Sequence, residues 1–345
     1  MGNRHMPYDL KQMQSLPLEA KITMTQQRIR QWHEHWEGAV YVSFSGGKDS
    51  TVLKHIVDGM YDDVPALFVN TGLEFPEIQK FAKSQNNVVV VRPEMRFDEV
   101  LKTYGYPVIS KEIAERAYYA RNGRPWAVNV FEGLTKDGEQ SEYRKMFVRY
   151  KGLLEAPFAV SSYCCNVMKK NPAKQYERST GRKAIVGTMA IESVRRRQAW
   201  EKTGCNSFDS KRPISKPLSF WTEQDVLHYI KKFNVPYCSV YGDIVIDGHD
   251  NADYVEGQIN AIDYLGDYEP EDKLKTTGRD RTGCIFCMFG CHLEKEPNRF
   301  QRLKETHPRQ YEYCIGGGEM VDGKWQPNKY GLGLGKVLDY INVKY

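Results

Sequence analysis

Apolar positions recur at helical spacing from about Leu18 to Trp36, with no Gly or Pro after Pro17, which predicts an amphipathic helix ahead of the first strand. The run Ala39-Val40-Tyr41-Val42-Ser43-Phe44 then reads as a buried strand, and beyond a Gly-Gly turn Asp49 to Met60 has the period and residue types of a helix. The pattern repeats. Ala66–Val69 is a short apolar run, Asn70-Thr71-Gly72 a turn, Pro76 opens a helix at its first turn, and Val88–Val91 reads as another buried strand. Ala184-Ile185-Val186-Gly187 is a further strand of the same sheet, reached after a long insertion. This alternation predicts an α/β fold with a doubly wound, mostly parallel sheet covered on both faces. In such a sheet a ligand sits at the carboxyl ends of the strands, where Ser45, Thr71 and Gly187 fall.

The insertion, about 105–170, carries the turn signals Asn122-Gly123 and Lys136-Asp137-Gly138 among aromatic and basic residues, predicting helices plus a hairpin that act as a lid. Thr222-Glu223-Gln224-Asp225 reads as a helix start leading into Val226–Phe233, and the acidic, aperiodic stretch Tyr241 to Asp272 as a solvated loop. The expected division is an N-terminal helical extension over 1–35, an α/β domain over 36–235 that contains the insertion, and a C-terminal lobe over 236–345. A chain of 345 residues has room for one elaborated domain or two. Its formal net charge of +5 permits an anionic substrate without requiring nucleic acid. No run approaches the roughly 18 apolar residues of a membrane span, and Met1–Met6 lacks the apolar core of an export signal, so a cytoplasmic location is expected. Eight cysteines in such a setting are ligand candidates rather than a disulfide framework.

Ser45-Gly46-Gly47-Lys48-Asp49-Ser50 lies between the first strand and its helix. Its spacing is not that of a Walker A loop, yet its physics is that of an anion cradle. Two glycines let the backbone approach phosphate oxygens, amides at the helix start point at them, and Lys48 adds a compact positive charge. Ser45 and Ser50 can donate hydroxyl hydrogen bonds, and Asp49 can hold a magnesium ion that bridges phosphates. A Gly-Gly turn with a solvated lysine is the plain alternative, and the strand-loop-helix context argues against it.

Phe44–Ser50 resembles the PP-loop of the ATP pyrophosphatases, and Asn70-Thr71-Gly72-Leu73-Glu74-Phe75-Pro76-Glu77 is similar to the second signature of phosphoadenosine-phosphosulfate (PAPS) reductases and ATP-sulfurylase small subunits. Gly187–Ser193 with Arg195-Arg196-Arg197 looks like the arginine-bearing substrate segment of that family, and Lys216-Pro217-Leu218 with Trp221–Val226 resembles its helix-opening motif. The resemblance runs over roughly residues 36 to 290. It implies an adenine nucleotide alpha hydrolase-like, Rossmann-like fold that binds ATP with Mg²⁺ or an adenylyl nucleotide. The nucleotide-binding residues it implies are Ser43, Ser45, Gly46, Gly47, Lys48, Asp49, Ser50, Asn70, Thr71, Gly72, Lys111 and Gly187, with Lys48, Asp49 and Arg196 as catalytic residues. The loop is complete, as in members that cleave ATP to AMP and pyrophosphate, and the C-terminal Glu-Cys-Gly-type thiol of the reductases has no counterpart. Cys314 is the late cysteine, readable as a nucleophile or as a buried, inert thiol.

Cys164-Cys165 and Cys284-Ile285-Phe286-Cys287 form a second constellation. Adjacent cysteines bind different irons of a cluster more readily than one tetrahedral zinc, so iron-sulfur is favoured over Zn²⁺. Assimilatory adenylyl-sulfate reductases have a similar arrangement around a 4Fe-4S cluster, and that match places Cys164, Cys165, Cys284 and Cys287 as ligands. DNA-phosphorothioation enzymes of the family likewise carry a cluster beside an intact loop. Cys291, Cys205 and Cys314 are further candidates, and a zinc knuckle or free thiols bracing the C-terminal lobe is the structural alternative.

The leading expectation is therefore ATP-dependent adenylation coupled to sulfur transfer, with AMP and pyrophosphate formed. Reduction of phosphoadenosine or adenosine phosphosulfate to sulfite is the alternative, and a non-catalytic nucleotide- and redox-sensing module is the third. The implied partners are an adenine nucleotide and a sulfur donor or thiol reductant protein. Scattered Tyr and Arg in the insertion are compatible with a nucleic-acid acceptor, and homo-oligomerisation is allowed. Arg279 and Arg281, which flank the Cys-x-x-Cys, can serve a phosphate or a cluster. Gly331–Lys336 has no buried strand ahead of it and reads as packing rather than a second phosphate loop.

Overall fold

Val40, Tyr41, Val42 and Phe44 are each at most 3% exposed, so side chains pointing to opposite sides of strand β1 (Val40–Phe44) are all covered. A computed structural model describes residues 5–247 and 272–345 of the chain. The other strands of the main sheet are β2 (Ala66–Val69), β3 (Val88–Val91), β4 (Lys183–Val186), β5 (Asn206–Ser207) and β6 (Ile214–Ser215). Their order is β3-β2-β1-β4-β6-β5, parallel throughout except for the antiparallel β5–β6 pair. The chain builds outward from β1 through β2 to β3, then returns to place β4 on the other side of β1. The order therefore reverses between β1 and β4, which is where a doubly wound sheet opens its ligand crevice.

The expected parallel α/β architecture is present, with one difference at the edge. Val88–Val91 is not buried: Val89 is 37% and Val90 42% exposed. An all-valine run looks like a core strand, but β3 ends the sheet and has a neighbour on one side alone.

The chain forms two compact units, the first being residues 1–70, 74–91 and 175–282, and the second 71–73, 92–174 and 283–345. This cuts the chain differently from the boundaries expected at 36 and 236. Residues 236–247 and 272–282 belong with the first unit because Ile244–Ile246 pairs with Leu274–Thr276, and the Gln224 side chain bonds both the N–H and the C=O of Leu274 at 2.8 and 2.9 Å. The acidic stretch from Tyr241 thus begins as structure, while residues 248–271 lie outside the described residues.

In the first unit, the helix Leu18–His35 buries Ile29 and Trp32 completely. It is anchored by Lys21, 2% exposed, whose ammonium donates to both oxygens of Asp225 at 2.8 and 2.7 Å. Asp225 also accepts from the Thr222 N–H at 2.7 Å, closing the capping box that starts the helix Glu223–Lys232.

In the second unit the insertion and the C-terminal segment share one core. The buried Tyr106 hydroxyl donates to the Leu332 carbonyl at 2.9 Å, Phe158 packs edge-on against Tyr340, and Ile109 bridges to Phe289. The insertion itself forms helices Lys111–Arg121, Pro125–Phe131 and Glu142–Val148, with a Leu134–Gln140 bridge at the Lys136-Asp137-Gly138 turn. Among the described residues no helix is long and apolar enough to cross a membrane.

Replacing Lys21 by Met leaves the Asp225 charge without its buried partner. Urea unfolding is expected to show a loss of about 3 kcal/mol, the cost of stranding one member of a buried ion pair.

Candidate functional site

The end of β1 runs into the helix Lys48–Asp58 through Ser45-Gly46-Gly47. Gly46 has φ +73°, and a Cβ there would stand 3.0 Å from the Ile78 side chain, so the turn requires glycine both for its dihedral and for its space. The loop is tied to itself by hydroxyls. Ser50 Oγ accepts from the Ser45 N–H at 3.1 Å and donates to the Gly47 carbonyl at 2.9 Å, and Thr51 Oγ1 donates to the same carbonyl at 3.0 Å. The Ser45 and Ser50 hydroxyls are 3.0 Å apart. From the neighbouring strand, Gly187 follows the end of β4, and a Cβ on it would lie 2.9 Å from the Asp49 carbonyl oxygen. Any larger residue at 187 pushes the two strand ends apart.

These segments enclose a cavity of about 280 Å³ lined by Ser43, Ser45, Gly47–Ser50, Val186–Met189, Glu192, Arg196, Glu223, Tyr241 and Asp280–Thr282. Its floor holds Lys48, 5% exposed, with Nζ 3.0 Å from Glu223 Oε1 and 5.1 Å from the centre of the Tyr241 ring. The Tyr241 hydroxyl is 2.7 Å from Thr282 Oγ1 and accepts from the Lys48 N–H at 3.4 Å, and burial pushes its pKa up to about 12. Arg196 is ion-paired with Glu192 and lies in the first turn of the helix Val194–Thr203, where its N–H donates to the capping Ser193 Oγ. Burial raises the Asp49 carboxyl above the ordinary range; Lys48, Arg281 and Arg196 pull it down and Glu223 pushes it up. Three cations thus converge on a small polar cavity at a helix N-terminus, which suits an anion with several oxygens.

Of the residues expected to bind nucleotide, Ser43, Ser45, Gly47, Lys48, Asp49, Ser50 and Gly187 line this cavity with Arg196, and Gly46 shapes the turn beneath it. Asn70 is buried in the same unit, its N–H donating to the Val91 carbonyl at 2.8 Å, and is not part of the lining. Thr71, Gly72 and Lys111 belong to the second unit. Tyr241, Thr282 and Asp280 were not singled out as site residues from the sequence, because no local motif marks them, and Glu192, inside the Gly187–Ser193 segment, was given no role of its own. Arg281 does line the cavity, whereas the Arg279 guanidinium stacks over the Phe75 ring at 5.3 Å.

The second unit holds the thiols. Cys164 and Cys165 precede a π-helical turn, Asn166–Lys170, with their sulfurs 4.0 Å apart. Their mutual hydrogen bond holds Cys164 above its ordinary pKa, where burial and the fields of Cys165, Cys287 and Cys284 also push it. The same bond lowers Cys165 to about 6 against the effect of burial, helped by Lys111, Lys169 and Lys170. Burial raises Cys287, whose carbonyl accepts from Arg299 Nη1 at 2.9 Å. The four thiols Cys164, Cys165, Cys284 and Cys287 are therefore near enough to influence one another, with lysines to offset thiolate charge. This donor set fits a sulfur-ligated centre. Among the described residues, however, no three His, Cys, Asp or Glu side chains stand ready-arranged to hold a metal ion. Cys291 is 1% exposed and donates to the Met288 carbonyl at 3.1 Å, Cys205 lies in the first unit, and Cys314 is 0% exposed with its thiol held well above the ordinary pKa by burial. The nucleophilic reading of Cys314 fails on that burial.

Asp49 supplies a pH test. A carboxyl whose folded pKa is raised costs stability above that pKa and costs nothing below its unfolded value. Asp49→Asn is therefore expected to melt at a higher temperature than the parent at pH 7, and the gain should vanish as pH falls toward about 3.9. A constant offset across that range in calorimetry contradicts the assignment.

Residues 39–120 and 128–287 match the family described as phosphoadenosine phosphosulfate reductase domain. A phosphoadenosine 5'-phosphosulfate reductase of Alkalilimnicola ehrlichii is 22% identical over 228 residues, covering 66% of this chain and 74% of that one. An uncharacterized protein of Methanocaldococcus jannaschii is 40% identical over 73 residues, 20% of this chain, which spans 18% of that protein's length. Among solved structures, a phosphoadenylyl-sulfate reductase of Candida auris in a phosphate complex aligns with 69% of this chain and 92% of its own, at 16% identity and a TM-score of 0.36. On the extent of the family match, the chain belongs to the phosphoadenosine phosphosulfate reductase domain family.

Proposed function

We propose that the chain binds an adenylyl sulfate with its phosphate oxygens on the Ser45–Ser50 loop and reduces it to sulfite with electrons from a thiol reductant. The observation that carries this reading is the cavity at the β1–β4 switch point, where Lys48, Arg196 and Arg281 converge within a reductase-family domain. Relatives named as PAPS reductases support the substrate class.

In this reading a thiolate attacks the sulfonyl sulfur and the sulfur–oxygen bond to the nucleotide phosphate breaks. The charge that develops on the departing phosphate oxygen is met by Lys48 and by the amides at the start of the helix Lys48–Asp58. A second thiol then attacks the sulfur of the S-sulfonated thiol, leaving a disulfide and sulfite. Both thiols are assigned to the reductant in this reading, and Cys314, fully buried, takes no part. Arg196 and Arg281 neutralise the remaining phosphate charge.

Cys164, Cys165, Cys284 and Cys287 are proposed to hold a 4Fe-4S cluster, with Zn²⁺ as the alternative. When bound, the cluster would supply electron-transfer capacity within the second unit, its core charge offset by the four thiolates. Lys111, Lys169 and Lys170 favour the thiolate form of Cys165 that ligation needs.

Adenylation coupled to sulfur transfer is the second reading. The complete Ser-Gly-Gly-Lys-Asp-Ser loop favours it, with Asp49 as the carboxylate that would hold a magnesium ion to offset phosphate charge. The two readings separate on product. Incubation with adenosine or phosphoadenosine phosphosulfate and a dithiol is expected to release sulfite, without pyrophosphate from ATP; pyrophosphate from ATP and no sulfite would transfer the assignment to adenylation.

Lys48→Ala is expected to lower kcat/KM for sulfite release about 100-fold, the scale of losing one preorganised charge-stabilising donor. Iron and acid-labile sulfide in anaerobically prepared protein are expected to be lost in Cys287→Ser. Iron retained at wild-type level in that variant contradicts the ligand assignment.

A further inference from the structure

Two of the cations in the loop cavity are already bonded to carboxylates of the same unit, and the two pairs differ in kind. Glu192 is tied twice: it pairs with Arg196 and accepts the Met189 N–H at 3.0 Å, and its side chain is 14% exposed. It belongs to the wall. Glu223 holds Lys48 Nζ at 3.0 Å, and among the described residues its carboxylate makes no other hydrogen bond. Its side chain is 46% exposed while that of Lys48 is 5% exposed, so Glu223 can swing into water and Lys48 cannot. Glu223 is also the first residue of the helix Glu223–Lys232, where the helix N-terminus favours negative charge.

We propose that Glu223 is an internal competitor for the ligand: its carboxylate stands in for a ligand phosphate on Lys48, so any anion that takes Lys48 has to displace it, and an anion with few other contacts is held only weakly. The proposal rests on the reading of this cavity as a nucleotide phosphate site. An ammonium 3.0 Å from a carboxylate is already satisfied. Inorganic phosphate gains little by replacing that oxygen, since it exchanges one charged acceptor for another. A diphosphate or a phosphosulfate reaches Lys48 and the loop amides together, and so offsets the lost ion pair with contacts that Glu223 cannot make. The same ammonium stands 5.1 Å from the centre of the Tyr241 ring.

The test is titration calorimetry with inorganic phosphate, pyrophosphate and adenosine 3',5'-bisphosphate. The proteins are the parent, Glu223→Gln, Glu223→Ala, Lys48→Ala and the Lys48→Ala/Glu223→Ala double variant. Removal of the carboxylate is expected to tighten inorganic phosphate about fivefold, the scale of one exposed ion pair. A gain at least as large is expected for pyrophosphate, which gives up the same ion pair, and none when Lys48 is already Ala. Two variants at 223 are used because a Gln amide oxygen can still accept from Lys48.

Unchanged or weaker phosphate binding in Glu223→Ala, with the nucleotide still bound by the parent, overturns the proposal and leaves the function standing. A gain of equal size in the Lys48→Ala background also overturns it, because the effect is then the general field of one carboxylate. If the bisphosphate binds to none of the proteins, the parent included, the nucleotide reading falls and this inference with it.

Discussion

The site depends on one close approach of main chain to main chain. Gly187, just past the end of β4, passes so near the backbone of Asp49 that a Cβ would meet its carbonyl oxygen at 2.9 Å. That contact fixes the approach of the segments that follow β1 and β4, from which Lys48, Asp49, Glu192 and Arg196 line the cavity. Lys48 and Asp49 start the helix after β1, Arg196 lies in the helix that follows β4, and Ser50 locks the turn between strand and helix. The order of the strands is the reason: the chain leaves β1 in one direction and comes back on the other side, so the two carboxyl ends part around an open crevice.

Charge in this crevice is nearly balanced. Lys48 and Arg196 are each matched by a glutamate, and Asp49 is disfavoured as an anion by burial while the surrounding cations pull it back. An unopposed cluster of three cations would attract any anion and would weaken the fold by mutual repulsion. A cavity with internal counter-charges holds its shape when empty and exchanges partners when filled. The second unit shows a related economy. The Cys164–Cys165 hydrogen bond and nearby lysines place one thiol low and one high in pKa, which keeps the thiols from carrying two adjacent negative charges.

Much of this was legible in the residues, and what was not has physical reasons. The helix at Leu18, the strands at Val40, Ala66 and Lys183 and the Thr222 cap are local features, fixed by periodicity and by a side chain reaching a backbone three residues away. The loop was legible because glycine spacing is a backbone property. The exposure of Val88–Val91 was not, since a strand's place in the sheet depends on partners far away in the chain. Tyr241 and Thr282 escaped for the same reason: they reach the loop from positions about 190 and 230 residues beyond it, and Tyr241 opens a stretch whose acidity suggested solvent. The partition of the chain also needed tertiary structure, because the cysteines of the insertion and those of the C-terminal segment fall in one unit while described residues between them, β4 and the helix Glu223–Lys232 among them, fall in the other.

The most direct measurement is a crystal structure of the protein with adenosine 3',5'-bisphosphate or an adenylyl sulfate bound. The account predicts phosphate or sulfate oxygens within hydrogen-bond distance of the main-chain amides that open the Lys48 helix, with Lys48 turned from Glu223 to the ligand. A nucleotide bound elsewhere, with Glu223 still on Lys48, contradicts it.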